Sequence, residues 1–517
     1  MVVAAVAALS LVATACGDDD ADGSGDPTSA ADVDPAGVLR LGNDFSIPGR
    51  QETDPIKLMS PNLTTPMHES IYGTLLKLNA DGEVENDLAE SVEIVDPSHI
   101  VVTLKDDLVF SDGTPLDAEA LKFSWERTIN ESNPGIIEAE FAMIASLTVE
   151  SDTVLDVRLS QPIAGAFYRL LRLGESVPYS PTAVRAGVNF SENPVGAGPF
   201  MLDSIVEGQS VKLIKSPTYW DADNVRLAGI EYVNVSPQAA VNAVRSNTVD
   251  FSVLTADTAS QVEGTPGWET TLGPTNGIMI QGLWCKSRPP FDNLKVRQAL
   301  NYAIDREELD LAVNDGGSEP SWGFNSSATP FYDEDLEDFY AHDPDRARRL
   351  LAEAGQPNLT FESFFQPGGS GQRAAEVIQA QLREVGVTVN LKPLTNPGDF
   401  YPEALGAPIN IFPLNRVGIQ KVSRVLVPGS IGNICSWNDP ALNALVLELQ
   451  GVDERSDEGI EIWKEISRNG LENAVNLFGV FGVQGTAVNT NRIGNVEIYE
   501  GRVGTPTLDT SRIYIRE

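Results

Sequence analysis

The sequence predicts a mixed α/β fold. Short β-branched runs alternate with segments whose apolar residues recur at helical spacing, and the alternation continues along nearly the whole chain. The composition, 42% hydrophobic and 21% charged, is that of a globular protein and excludes disorder of the whole chain. A length of 517 residues allows about three structural units.

The elements follow in order. VLRL at 38–41 reads as a strand, 65–78 as a helix running into a strand, and 99–104 as a second strand. SDGTP at 111–115 is a tight turn, because Gly and Pro fix opposite kinds of backbone geometry. Asp117 then caps a helix whose apolar residues include Leu121, Phe123 and Trp125. Further helices are expected over 237–246, 293–312, 343–354, 372–385, 440–448 and 457–471, with VTVNL at 387–391 as a strand. No internal repeat is visible.

The charge balance is 36 Lys+Arg against 74 Asp+Glu, a net of −38. That excludes general nucleic-acid binding, which needs a basic face, and disfavours contact with anionic lipid headgroups. Membrane attachment therefore needs another device, and the N-terminus offers one. Residues 1–15 are apolar or small throughout and run straight into Cys16. At about 1.5 Å per residue they reach roughly 22 Å, short of a roughly 30 Å hydrocarbon core, so they read as a signal-peptide core and not a transmembrane helix. ATAC at 13–16 resembles the lipobox of bacterial lipoproteins, in which Cys16 would carry the lipid; an ordinary secreted protein is the alternative. Ala13 stands where Leu is usual, and no Lys or Arg precedes the apolar run, which points to a true start upstream of Met1. Residues 16–37 then form a lipidated cysteine and a disordered acidic tether, with Val33 its one bulky apolar residue.

With Cys16 lipidated, Cys285 and Cys435 remain as an even pair in an oxidising compartment. Either they form a disulfide, worth up to about 5 kcal/mol in the chain-entropy model, or they are two separately buried thiols.

A run of motifs resembles one family. YGTLL (72–76), DLAES (87–91) and TLKDDLVFSDGTPL (103–116) are followed by NPVGAGPF (193–200) and SPTYW (216–220). PPF (289–291), VRQALNYAIDR (296–306) and DPDRARRLLAEAG (343–355) complete the series. In this order they resemble the extracytoplasmic solute-binding proteins of ABC importers, peptide/nickel-binding (family 5) class. The motifs themselves read as scaffold: Val296, Leu300, Ala303 and Ile304 face a core at helical spacing, Gly196 and Gly198 form a turn into a strand, and Trp125 and Trp220 are packing anchors.

The resemblance implies a two-lobed fold of the periplasmic-binding-protein class II type, closing over a ligand, with an extra subdomain inserted in lobe one. On this chain lobe one is expected at 38–72, 195–274 and 476–517, the insert at 73–194 and lobe two at 275–475. The hinge crossings then fall near Gly273-Pro274 and over 477–483.

Enzyme signatures are missing from the sequence. His68, His99 and His342 are scattered, and no zinc-protease helix, nucleophile elbow, phosphate-binding loop or C-x-x-C occurs. No metal or cofactor is expected. Peptide-binding relatives hold a peptide's amino terminus with a Trp and an Asp in a loop of lobe two. The corresponding stretch here, NIFPLNRVGIQK at 410–421, has no acidic residue. A buried ammonium would lack its counter-charge there, whereas Arg416, Lys421 and Arg424 suit a carboxylate, a phosphate or a polar oxygen, or are simply solvated. Aromatic residues at the lobe edges are the candidate cleft walls: Phe45, Trp284, Trp322, Phe324, Phe412, Trp437 and Phe481, with Asn415 and Arg416 as polar partners.

The expected function is a lipid-anchored, monomeric receptor on the outer face of the cytoplasmic membrane. It captures an oligopeptide or other polar small molecule and delivers it to the permease, without covalent chemistry. A ligand sensor for a membrane partner and, more remotely, a lipid-anchored hydrolase are the alternatives.

Overall fold

The structure, a computed structural model, describes residues 33–45, 51–57, 61–79, 83–131, 140–236, 239–365, 367, 369–393, 409–415, 419–428, 433–496, 498–500, 506–508 and 510–517. Cys16 and Arg416 lie outside them, as do the side chains of Phe412, Asn415, Lys421 and Arg424.

In chain order the strands are β1 (Val38–Asn43), β2 (Leu76–Leu78), β3 (Val84–Asn86), β4 (Ala89–Asp96), β5 (His99–Leu104), β6 (Ile144–Val149), β7 (Val154–Leu159), β8 (Phe200–Val206), β9 (Ser210–Lys215) and β10 (Gly229–Asn234). They continue with β11 (Phe251–Leu254), β12 (Glu269–Trp284), β13 (Thr360–Phe365), β14 (Thr388–Pro393), β15 (Ile409–Asn415), β16 (Asn476–Val488), β17 (Ile493–Gly494), β18 (Ile498–Glu500), β19 (Pro506–Leu508) and β20 (Tyr514–Ile515).

Ten strands share one sheet in the order β14-β13-β15-β12-β16-β11-β1-β10-β9-β8. Its two halves are joined through the antiparallel pair β12 and β16, strands of 16 and 13 residues that run through both. β16 is buried along almost its whole length, as its near-continuous apolar sequence requires of a strand covered on both faces. Register slips where the halves meet: Thr275 pairs with Gly482, but the next paired residue, Met279, faces Phe481, and a second, smaller slip follows between Ile280 and Gln281. Residues 276–278 therefore bulge out of the ladder, in the region where the sequence placed its crossings.

The segment between the helix Pro61–Tyr72 and β8 builds its own four-stranded antiparallel sheet, β4-β5-β7-β6. Trp125 anchors it from the helix Ala118–Glu131, fully buried between Phe141 and Phe167 and donating its indole N–H to the Ser176 carbonyl at 2.8 Å. Trp220 is different from the expected packing anchor: its ring is 43% exposed, and its work is polar. Trp220 Nε1 and the Tyr219 hydroxyl both donate to one oxygen of buried Asp87, at 3.0 and 2.8 Å. Burial raises the Asp87 carboxyl above its ordinary range, opposed by these two hydrogen bonds. SPTYW is thus the clamp that receives DLAES.

Gly196 and Gly198 are not a loose turn. Their amide neighbours bond back to the helix Pro61–Tyr72 (Ala197 N–H to the Tyr72 carbonyl, Gly198 N–H to that of Ile71), and a Cβ at either position would stand within 2.5 Å of a carbonyl oxygen of that helix. Only glycine permits the approach. The helix expected over 293–312 is two helices, Leu294–Tyr302 and Arg306–Asn314. Asp305 interrupts it in extended backbone, its side chain capping the second helix through the Glu308 N–H.

Lobe one is closed by the C-terminus. Asp34 N–H bonds to the Ile515 carbonyl, Val33 bridges to Arg516, and Asp250, fully buried, is held by Arg40 and Arg492. Its apolar core is a separate cluster, whereas the core of the four-stranded insert is continuous with that of lobe two.

Replacing Tyr219 with Phe leaves the buried Asp87 carboxylate short of a donor. A loss of about 1–3 kcal/mol is expected, read as a lower urea midpoint with an unchanged slope.

Candidate functional site

In an open α/β sheet, ligands lie beyond the carboxyl ends of parallel strands. In the first half β1 runs parallel to β10 and β11, in register so that Asn43 faces Asn234. Phe45 follows directly. Its N–H donates to the Asn234 side-chain oxygen at 2.9 Å, and the same amide's nitrogen donates to the Gly208 carbonyl. Phe45 is thus fixed at the carboxyl end of β1, with its ring largely in the lobe-one core. The carboxyl end of β11, Leu254, pairs with Gly485 of β16, three residues from Gly482 at the bulge.

In the second half β13 runs parallel to β14 and β15. The carboxyl end of β15, Asn415, pairs with Ile278 inside the bulged segment. Carboxyl ends of both halves therefore converge on the crossing. Along the second half's side runs a loop bonded to β16: Glu319 accepts from the Phe481 N–H, Pro320 bridges to Val480, and Ser321 N–H donates to the Gly479 carbonyl. Trp322 on this loop is half-buried, with the Arg306 guanidinium 4.9 Å from its ring centre.

Several expected wall residues lie elsewhere. Trp284 was placed just past the hinge, yet β12 continues from Thr275 to Trp284, roughly 30 Å at about 3.3 Å per residue. Trp284 is fully buried at the far end of lobe two, stacked on Phe291 and donating to the Ala474 carbonyl. Trp437 lies at that same end, because Cys435, two residues before it, is disulfide-bonded to Cys285, with Cα atoms 5.2 Å apart. Phe324 is buried against Phe478 and Phe481 is buried in the lobe-two core; both fill the interior because their strand and loop are covered on both sides. The backbone of Phe412 pairs with Gln281, three residues short of the β15 end.

Two site-proximal residues escaped the sequence reading. Asn234 positions Phe45 and is signalled only by a polar residue ending an apolar strand. Gln484 pairs with Gly273 at the crossing, and its side-chain oxygen is buried with no hydrogen-bond partner among the described residues. A lone Gln inside FGVFGVQGTAV was the available signal.

The three histidines are not gathered. His68 is buried beside Tyr72, where burial lowers its pKa to about 4 and keeps it neutral. His99 pairs with Asp156 on the insert, and His342 lies near Asp305. Among the described residues no cluster of His, Cys, Asp and Glu could hold a metal ion, and no helix is long and apolar enough to cross a membrane.

Residues 83–415 match the model of the bacterial extracellular solute-binding proteins, family 5 (Middle). The chain belongs to that family. It is 29% identical over 357 residues to the glutathione-binding protein GsiB of Shigella flexneri, a match covering 68% of each chain. Its fold is similar to that of the ABC transporter substrate-binding protein CtaP from Listeria monocytogenes (TM-score 0.77, 21% identity, 93% of this chain and 100% of that one). It is likewise similar to HbpA2 from Haemophilus parasuis (TM-score 0.79, 18% identity, 91% and 98%). This family 5 protein has the two-lobed fold, acts outside the cytoplasm, and serves an ABC importer as the component that binds the solute.

The far end of lobe two carries a buried cation. Lys286 lies with its ammonium 5.1 Å from the Trp437 ring centre. Burial lowers its pKa from 10.5 to about 7, and the Arg297 guanidinium pushes the same way. Above pH 7 and up to 10.5 the unfolded chain holds a proton that the folded chain lacks, so this group makes stability rise with pH across that window. Lys286→Met is expected to raise Tm at pH 7 and to flatten the rise in melts taken from pH 7 to 10.

Proposed function

We propose that this protein is a monomeric lipoprotein, anchored through Cys16 to the outer face of the cytoplasmic membrane, that captures a small carboxylate-bearing solute and acts by binding alone. The observation that carries the capture site is the convergence of strand ends from both halves on the bulged crossing of β12 and β16. Residues 38–72, 195–274 and 476–517 act as lobe one, 73–194 as its insert and 275–475 as lobe two, turning about the bulge at 276–278.

For the solute, the support is chemical. Residues 409–421 contain no acid to receive an ammonium, while Arg416 and Lys421 follow the β15 end. GsiB, the glutathione-binding relative, gives a probe of the right class. Phe45 and Trp322 supply apolar contact, and the buried Gln484 oxygen offers an acceptor to a solute N–H.

Native mass spectrometry of protein taken unrefolded from its own envelope tests the reading. A co-purified small compound of net negative charge is expected, and a bound α-linked oligopeptide without net negative charge would overturn the solute class. Glutathione at 100 times its dissociation constant should add about 2.7 kcal/mol in thermal shift. Arg416→Ala is expected to weaken solute binding at least tenfold in calorimetry while leaving Tm unchanged.

A further inference from the structure

The insert touches more than the lobe that carries it. On its helix Ala164–Leu170, a Cβ at Gly165 would lie 1.6 Å from the Val452 carbonyl oxygen, so the helix rests directly on the backbone that ends the lobe-two helix Pro440–Gly451. Gly451 in turn faces Pro97 and the Pro162 carbonyl of the insert. Beside them Arg172 reaches Glu454 across the seam at 3.8 Å, both side chains about nine-tenths buried. None of these residues belongs to β12 or β16, the strands that cross between the halves.

The two attachments of the insert differ in chemistry. Toward lobe one it is held by Asp87, whose carboxylate receives Tyr219, Trp220 and the Thr74 amide, by Val177, Tyr179, Ala183 and Phe190 in the lobe-one core, and by the Thr53 hydroxyl on the Phe190 carbonyl. Toward lobe two the contact is covalently independent and poorly satisfied. Arg169 Nε, Arg172 Nη1 and Arg455 Nε are buried without a hydrogen-bond partner among the described residues. Buried guanidinium donors left unpaired penalise the packed state, and water would satisfy them once the seam parts. Backbone-to-backbone packing of apolar helices favours the packed state instead. The opposing terms make the seam separable where the Asp87 clamp is not.

We propose that the Gly165–Val452 and Arg172–Glu454 seam is a latch, by which the insert of lobe one holds lobe two in the described arrangement and from which lobe two swings free about the bulge. The inference rests on the lobes turning at that crossing. A rotation about the bulge whose axis does not pass through the seam parts it, so the seam biases the open–closed equilibrium without touching the cleft. It gives the insert a task that the solute site does not need.

Spin labels report this directly. In the full chain with Cys16→Ser, cysteines replacing Val206 in lobe one and Leu311 in lobe two, both exposed, carry the labels, and pulsed electron-spin distances are measured without solute. One dominant distance is expected in the parent, a shift to a second population in Gly165→Leu and in Arg172→Glu, and recovery of the parent distance in Arg172→Glu combined with Glu454→Arg. Gly165→Leu is the harsher change; the charge variants keep the test standing if it fails to fold. An identical distance in every variant, a parent already at the variants' distance, or a double variant that stays shifted would overturn the latch. No solute is involved, so any of these results leaves the transport role standing.

Discussion

The pairing of β12 with β16 is the constraint on which the other parts depend. Because the two strands traverse both halves, the lobes are joined by a continuous hydrogen-bonded ribbon and not by a flexible linker. A two-stranded ribbon resists shear and stretching but bends across its face, and its ladder is interrupted at residues 276–278 and slips again just after, between Ile280 and Gln281. The same ribbon sets the position of the site, since strands added on either side end at the interrupted level.

Much of the fold was legible in the sequence because its signals are local. Asp343, Asp439 and Ser456 accept from N–H groups of the helices they open, as their residue types suggest, and Pro344 and Pro440 occupy first turns. The break at Asp305 was missed because apolar residues keep helical spacing across it, and the cap that splits the segment is a single side chain. Gly196 and Gly198 were visible as glycines, but the backbone they accommodate lies more than a hundred residues earlier.

The site was far less legible. Phe45 and Trp322 were singled out because one follows the first strand and the other lies in a Gly/Ser-rich loop, and the structure leaves Phe45 at the carboxyl end of β1 and Trp322 on a loop bonded to β16. Trp284 misled because nothing in the sequence states how far a strand continues past a hinge, and a Trp at a strand end reads alike whether the end is at a cleft or at the opposite pole. Phe324 and Phe481 misled for a related reason: an aromatic residue in a loop or strand carries no mark of which layer will cover it. The Cys285–Cys435 bond, with its partners 150 residues apart, explains why Trp284 and Trp437 share that pole.

The closure of lobe one by its own last residues bears on how the chain is made. β1 lies near the start, yet Asp34 bonds to Ile515, and Asp250, which holds Arg40 on β1, also receives Arg492. During synthesis the four strands of the insert's sheet can pair early, because they are contiguous in sequence. Lobe one must wait for residues 476–516, with the edges of its sheet unpaired in the interval. A product lacking residues 476–516 would carry a paired insert on an unfinished lobe, with Asp250 short of Arg492 and Asp34 short of Ile515.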